Sequence, residues 1–523
     1  MSIVESLGGG VGFIDYDNDG WLDIYLVNSS SFGAMKGNGP APKAALFHNN
    51  HDGTFTNVAE KAGVTNERWG VGAVVADYDN DGWPDIYVTN VGANRLYHNN
   101  HDGTFTDLAL KAGVALGGWS TGATFGDYDG DGRLDLFVPG YAEYDFENPP
   151  VEGSNKVAEN FCRFRGARVF CGPKGIKGAS DHLFHNKGDG TFEDVSVAAG
   201  VSDRVGYFGL VSLFVDLDGD GRPDLLVAND STPNYLYRNK GNGKFVDESF
   251  ESGFAVNARG RETATMGIAV GDVRNNGILD ILTTDFSDDY KVLYRNEGEM
   301  SFNDVSYEAG IANETVPFLS WGDALADFDN DGWKDIFIAD GHVYPQVDAH
   351  DWGTSFAQRQ LLFRNVAGKK FVAVPAVDGS GLATVVSARG AAFGDLFNDG
   401  KIDVVLNVVN GAPVLLRNVS EDKHHWLELK LVGAVKSPRD AIGATVTLTT
   451  GKMTQRGDVL SGGSFASSND PRVHFGLGDA ASIDSMTVRW PDGLTEKIVA
   501  PAVDRIYTVE EGKGVVSTFA PEK

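Results

Sequence analysis

A chain of 523 residues with 73 acidic against 44 basic side chains has a formal charge of −29, and it is long enough for a main domain and a smaller one. The charge balance argues against nucleic-acid binding, which needs clustered Lys and Arg. No run approaches 18 uninterrupted apolar residues, so no transmembrane segment is expected.

The chain opens on Met1 to Leu7, which lacks the basic start and apolar core of an export signal. Seven Asp-rich turns follow, starting at Asp15, Asp77, Asp127, Asp216, Asp272, Asp327 and Asp395. The shortest steps are about 50–56 residues, the range of propeller blades. The second unit shows the parts most clearly. A small-residue strand, Gly72 to Ala76, enters the turn, and an alternating strand, Asp85 to Thr89, leaves it. A third strand, Arg95 to His98, reaches an Asn-Asn-His-Asp-Gly turn, and a fourth spans Thr104 to Leu108. Asp-Gly or Asn-Gly hairpin signals recur at Asp52-Gly53, Asp189-Gly190 and Asn242-Gly243. Four antiparallel strands per unit and seven units predict an all-β, seven-bladed β-propeller over residues 1–420. The 66 glycines suit crowded inner strands and turns of positive φ. The fourth strand is marked only six times, near Phe55, Phe105, Phe192, Phe245, Phe302 and Phe371. Either an outer strand belonging to a longer N-terminus closes the ring, or Ser2 to Leu7 forms a short closing strand.

One long insertion, roughly Tyr141 to Asp181, carries the two cysteines, Cys162 and Cys171. Free buried thiols are one reading. A disulfide is favoured if the protein is exported, and it would add roughly 2–3 kcal/mol. Past residue 420 the pattern changes. Trp426 to Leu431, Ala444 to Leu448 and Met486 to Trp490 alternate with period two and predict a small β-sandwich over 421–515, with a tail at 516–523. Arg439, Asp440, Asp470 and Arg472 form either a recognition patch or a structural ion-pair set, the latter favoured.

The Asp turns carry the chemistry. Side chains at positions 1, 3, 5 and 9, with Gly at position 6, make an oxygen cage for calcium. Five copies are complete: Asp15, Asp17, Asp19, Asp23; Asp77, Asp79, Asp81, Asp85; Asp127, Asp129, Asp131, Asp135; Asp216, Asp218, Asp220, Asp224; and Asp327, Asp329, Asp331, Asp335. Position 12 is apolar in all five (Leu26, Val88, Val138, Val227, Ile338), so these are not EF-hands. The fifth turn has Arg274 and Asn276 at positions 3 and 5, where Arg274 replaces the ion's charge; the seventh has Phe397 at position 3. About five Ca²⁺ sites are expected, with a sixth or seventh weak. Metal-free Asx-turns also favour Asp and Gly, but they leave four carboxylates repelling one another. Weak calcium modules of this kind suit an extracellular, cell-surface or periplasmic address.

The repeats resemble the FG-GAP/VCBS repeats of integrin α-subunit propellers. The stretches Cys162-Arg-Phe-Arg-Gly166 and Val169-Phe-Cys-Gly-Pro173 resemble the cysteine pattern of the cartilage acidic protein family. His425-Trp426-Leu427, Arg439 to Ala444, Asp470 to Gly478 and Val488 to Gly493 are similar to its companion ASPIC/UnbV domain. The resemblance implies a secreted or surface protein with a calcium-bearing propeller and a role in adhesion or matrix interaction. The start of the chain departs from the pattern, lacking the export signal and first outer strand.

No Gly-x-Ser-x-Gly, His-Glu-x-x-His or Gly-x-x-x-x-Gly-Lys occurs. His48/His51 and His98/His101 read as hairpin-turn residues, with Lys187/Asp189 as their counterpart. Arg68, Trp69, Trp119, Tyr207, Phe208, Arg261, Glu262, Trp321 and Arg389 precede inner strands and would gather at one mouth of the central channel, where aromatic faces and polar forks suit a sugar or peptide. The expectation is an exported binding module for a glycan or protein. The alternatives are a calcium-dependent polysaccharide lyase built on Arg261, Glu262 and Arg389, or a purely structural surface protein.

Overall fold

The computed structural model describes residues 2–145, 162–173, 175–203, 205–421, 423–434, 436–499 and 502–521. Up to residue 416 they form seven antiparallel sheets of three or four strands in a propeller-like, all-β arrangement, besides a two-stranded hairpin of Arg163–Phe164 and Ala167–Arg168. Six sheets have four strands laid side by side in chain order. In the second these are Trp69–Ala76, Asp85–Val91, Arg95–Asn99 and Phe105–Asp107. Within this sheet short connections join the strands, the last of them the tight turn between Asn99 and Phe105.

First strands lie against one another around an axis, and Ala388–Gly394 of the seventh sheet returns to Val11–Ile14 of the first. Crowding there explains the small residues: a Cβ on Gly10 would lie 1.7 Å from the Ala466 carbonyl oxygen. An asparagine belt holds the periphery. The Asn ending each third strand donates its side-chain amide to a carbonyl in the preceding sheet's Asp loop. Asn99 reaches Tyr16 at 2.8 Å, Asn186 reaches Tyr78 at 2.8 Å, and the series runs to Asn418 on Phe328 at 2.8 Å. Asn49 of the first sheet then reaches Leu396 of the seventh at 2.9 Å, so the belt meets its own start.

The seventh sheet has three strands among the described residues, ending at Val414–Leu416. Ser2 to Leu7 does not form a closing strand. Ile3–Ser6 is a helical turn, tied by the Ser2 N–H to Glu5 Oε2 at 2.7 Å, and Ile3, Val4 and Leu7 are buried in the cluster that holds Trp69 and Trp321.

The C-terminal part is two four-stranded sheets around Leu427, Leu429, Val446, Phe475 and Val488. His425–Val432 runs antiparallel to Val473–Gly478 and parallel to Arg505–Glu510. Gly514–Phe519 pairs with Arg505–Glu510, so the segment expected as a tail from 516 supplies an edge strand.

This domain sits on the face that carries the Asp loops, and residues 461–468 leave it to fill the propeller axis. Ser468 N–H bonds Val11 O at 2.8 Å, Ala73 N–H bonds Ala466 O at 3.1 Å, and Ser464 N–H bonds Ile268 O at 2.9 Å. Phe465 is fully buried, its ring centroid 4.7 Å from that of Trp321. At the other end of the axis the Cys162–Cys171 disulfide, with Cα atoms 5.2 Å apart, closes a hairpin. Its Phe164 packs on Phe286, Tyr344 and Trp352, and Val169 and Phe170 are buried. The insertion's residues 146–161 lie outside the described set.

Candidate metal centres

Each Asp loop is shaped by its own backbone N–H groups. In the second, Gly82 and Asp81 N–H donate to the two oxygens of Asp77 at 2.7 and 3.0 Å, and Trp83 N–H donates to Asp81 at 2.9 Å. Asp85, at the start of the outgoing strand, accepts from Tyr78 at 3.3 Å and from Asn99 at 2.8 Å. Asn80 and Gly82 take φ of 60° and 90°, the left-handed conformations that Asn and Gly tolerate best. Oxygens of Asp77, Asp79 and Asp85 fall within 4.8 Å of one another, as do those of Asp15, Asp17 and Asp19. The positions-1 and -9 bonds persist in the incomplete loops, where Gly277 donates to Asp272 at 2.8 Å and Gly400 to Asp395 at 2.6 Å. Loop shape therefore does not need the full carboxylate set.

Without a cation the cages are electrostatically poor. Burial first, and neighbouring carboxylates next, push Asp23 up to about 9, Asp77 and Asp224 to about 8, and Asp85 and Asp335 to about 7. One oxygen each of Asp17 and Asp329 is buried with no hydrogen-bond donor. A dense set of hard oxygens with unmet acceptors fits a hard divalent ion. In the fifth loop Arg274 places its guanidinium on Asp280 at 2.9–3.0 Å, so that this carboxylate already has a cationic partner within the chain. In the seventh, Arg417 lies 4.0 Å above the Phe397 ring and 3.3 Å from Asp399.

The histidines differ from the sequence expectation. His51 and His101 do sit in hairpin turns with positive φ, but each also reaches the cage, at 2.7 Å from Asp19 and 2.6 Å from Asp81. His48 and His98 belong to the third strand, and their Nδ1 atoms lie 3.2 Å from Asp23 and from Asp85. Their true counterpart is His185, 3.1 Å from Asp135, not the Lys187/Asp189 turn. The missed signal was positional: each of these histidines directly precedes the belt asparagine, and Arg238, Arg364 and Arg417 occupy the same place in later sheets.

The expected ligand mouth is not open. Trp69, Trp119, Phe208, Trp321 and Arg389 are buried beneath the N-terminal turn and the disulfide hairpin and against Phe465. Arg389 spends its guanidinium on the carbonyls of Ser6, Gly341, Ala388 and His342 at 2.6–3.2 Å and lies 4.4 Å over the Trp321 ring. Arg68 is half-buried on the Ala93 and Asn94 carbonyls. Tyr207 stacks on Tyr235 at 5.1 Å, while Arg261 and Glu262 stay exposed, Arg261 lying 3.6 Å from Asp289. A lyase cleft of Arg261, Glu262 and Arg389 is therefore not assembled.

Instead, the second domain touches the loop face directly. Asp440 accepts from Asp77 N–H at 3.0 Å and Asp470 from Asp395 N–H at 3.3 Å. Arg472 links Asp470 (2.7 Å), Glu428 (3.2 Å) and the Asp395 carbonyl (2.6 Å), while Arg439 donates its backbone N–H to Asn80. These four residues thus form interdomain contacts, the structural reading favoured from sequence. Beside them a groove of about 530 Å³ runs between the first two loops and the second domain, with Trp21, Phe519, Lys430 and Arg439 on its walls.

Comparison with known proteins matches 15–88, 77–138 and 216–283 to the FG-GAP-like repeat and 434–516 to the ASPIC and UnbV domain. The chain is 28% identical over 314 residues to cartilage acidic protein 1 of Homo sapiens, covering 57% of this chain and 43% of that protein. To the Mus musculus protein it is 27% identical over 343 residues, covering 63% and 47%. It thus spans less than half the length of the curated relatives it matches. Among solved structures, an Agrocybe aegerita lectin that recognises terminal N-acetylglucosamine aligns at TM-score 0.42 and 16% identity, over 79% of this chain and 94% of the lectin. Rhamnogalacturonan lyase YesW aligns at TM-score 0.38 and 12% identity, over 80% and 73%. Those two likenesses are too distant to bear on activity. The repeats, the terminal domain and the relatives agree: the chain joins FG-GAP-like repeats to an ASPIC and UnbV domain and is similar to the cartilage acidic proteins.

Proposed function

We propose that this protein is a calcium-stabilised extracellular binding module whose ligand is a glycan or another surface protein. The observation that carries the reading is the ring of Asp loops, in which carboxylates from buried to exposed are held within 4.8 Å of one another, some with buried acceptors left unmet. On this reading the seven sheets are the seven blades of a propeller and calcium is a structural ion rather than a reagent. In complete loops, carboxylates at positions 1, 3, 5 and 9 would hold it, and its charge would relieve their repulsion. The disulfide supports an oxidising address, at the cell surface, outside the cell or in a periplasm. No helix among the described residues is long and apolar enough to cross a membrane.

The ligand is assigned to the groove beside the first two loops. Its volume suits a small oligosaccharide or peptide segment, and Trp21 and Phe519 offer ring faces beside Lys430 and Arg439. Two measurements test the reading. Excess chelator should lower the melting temperature by several degrees, and an unchanged melt sinks the calcium claim. Glycan and matrix-protein arrays probed with calcium should give a ligand whose binding falls in Trp21→Ala; binding unaffected by that change removes the groove from consideration.

A further inference from the structure

The five complete loops differ in what faces them. In the first three, the third strand presents an imidazole: His48, His98 and His185. In the fourth loop three guanidinium groups converge. Arg238 of the third strand meets Asp218 at 2.6 Å, where the Asp218 side chain is only 6% exposed. Arg222, within the loop, pairs with Asp220. Arg489, from the Ser485–Arg489 strand of the second domain, pairs with Asp216. Arg456 adds a bond to the Asp216 carbonyl at 3.0 Å.

Guanidinium keeps its charge at any pH at which the protein is folded, so these partners act as fixed cations in the cage. Three fixed cations against four carboxylates leave about one negative charge, too little to repay stripping water from a divalent ion. The other complete loops are different. The first has Lys430 on Asp15, the third Arg133 on Asp131 and the sixth Arg364 on Asp329, one fixed cation each. Among the described residues no Lys or Arg pairs with an aspartate of the second. Of the complete loops, the first and sixth keep a buried, donor-free carboxylate oxygen, while the second, third and fourth have none among the described residues, so it is the convergence of guanidinium groups that sets the fourth apart.

We propose that the fourth loop is an ion-free cage closed by arginines, one of them supplied by the second domain, so that calcium occupies four of the five complete loops. The proposal rests on the calcium reading above. It gives Arg489 a role of its own: the second domain docks on the fourth loop by standing in for a cation.

The test counts bound calcium by mass spectrometry on the full chain, equilibrated at about 1 mM calcium and freed of unbound ion. Asp218→Asn should carry as many ions as the wild type, whereas Asp79→Asn, in the second loop, should carry one fewer. The double variant Arg238→Gln/Arg489→Gln should gain one ion. Circular dichroism and gel filtration establish that each variant is folded. Loss of one ion in Asp218→Asn, or no gain in a folded double variant, overturns the inference while leaving the calcium reading in place. A wild type that carries no ion overturns both.

Discussion

The axial segment offers the sharpest quantitative prediction. Phe465 is fully buried at the propeller axis, reached only through the backbone of a loop that starts and ends in the other domain. In Phe465→Ala the lost transfer of the ring amounts to about 2–3 kcal/mol. The inner strands cannot collapse into the gap, because glycines such as Gly10 and Gly322 already hold neighbouring backbones in contact: a Cβ on Gly322 would lie 2.8 Å from that of Ala391. A residual cavity on the order of 80 Å³, at ~24 cal/mol per Å³, adds about 2 kcal/mol. The total, about 4–5 kcal/mol, is a large part of the stability of an ordinary domain. Phe465→Leu keeps most of the volume and should cost about 1–2 kcal/mol, mainly the edge-to-face contact with Trp321. Urea unfolding followed separately by propeller and sandwich tryptophans measures both numbers. In the wild type the two domains should unfold together, and in Phe465→Ala the transitions should separate. A loss below about 1 kcal/mol with the transitions still coincident would refute a load on the ring and a tie through the axis.

Asn49→Ala removes a bond to Leu22 within the first sheet and the bond to Leu396 that joins it to the seventh. With two buried carbonyls left short of a donor, the expected cost is about 2–3 kcal/mol by denaturant titration, and a neutral result would mean that the belt is decorative. A second expectation concerns pH. Burial raises Asp85, Asp135 and Asp335 to about 7 and Asp224 to about 8 in the ion-free fold, well above an unfolded carboxylate. The folded state therefore binds more protons than the unfolded one across this range, and stability in chelator should fall as pH rises from about 5 to 8. Calcium takes the ionised form, so its uptake at pH 7 should release protons and its apparent affinity should rise from about pH 6 to 8. A flat affinity profile, measured by calorimetry in buffers of different ionisation enthalpy, contradicts that account.

Much of this architecture was legible because it repeats. The Asp turns, their spacing and the strands on either side follow from period-two alternation and turn chemistry, which are local. The cysteine pair was legible for the same reason, being nine residues apart within one insertion. What escaped was non-local. Residues 461–468 are rich in Gly and Ser, a composition that locally suits a turn, yet they fill the axis, because a segment lying among seven strand backbones needs small residues and one filler, Phe465. Arg389 read as a channel-mouth donor, but four carbonyls arranged around it make burial affordable, and no local pattern announces them. The histidines failed through register. Aligned on the hairpin turn, His48 seemed to answer to Lys187; aligned on Asn49 and Asn186, it answers to His185.

The axial segment also bears on the order in which this protein can form. All seven sheets are complete by residue 416, but the side chain that fills their centre is Phe465, nearly fifty residues later. A ribosome therefore releases every one of these sheets before it releases the segment that fills their centre. Until that segment emerges, the inner strands lack the backbone partners that Ser464, Ala466 and Ser468 supply in the finished fold. The finished ring dates from the arrival of the terminal domain, and a chain cut between 416 and 461 should behave as a loose, protease-sensitive ring however well its separate sheets have paired.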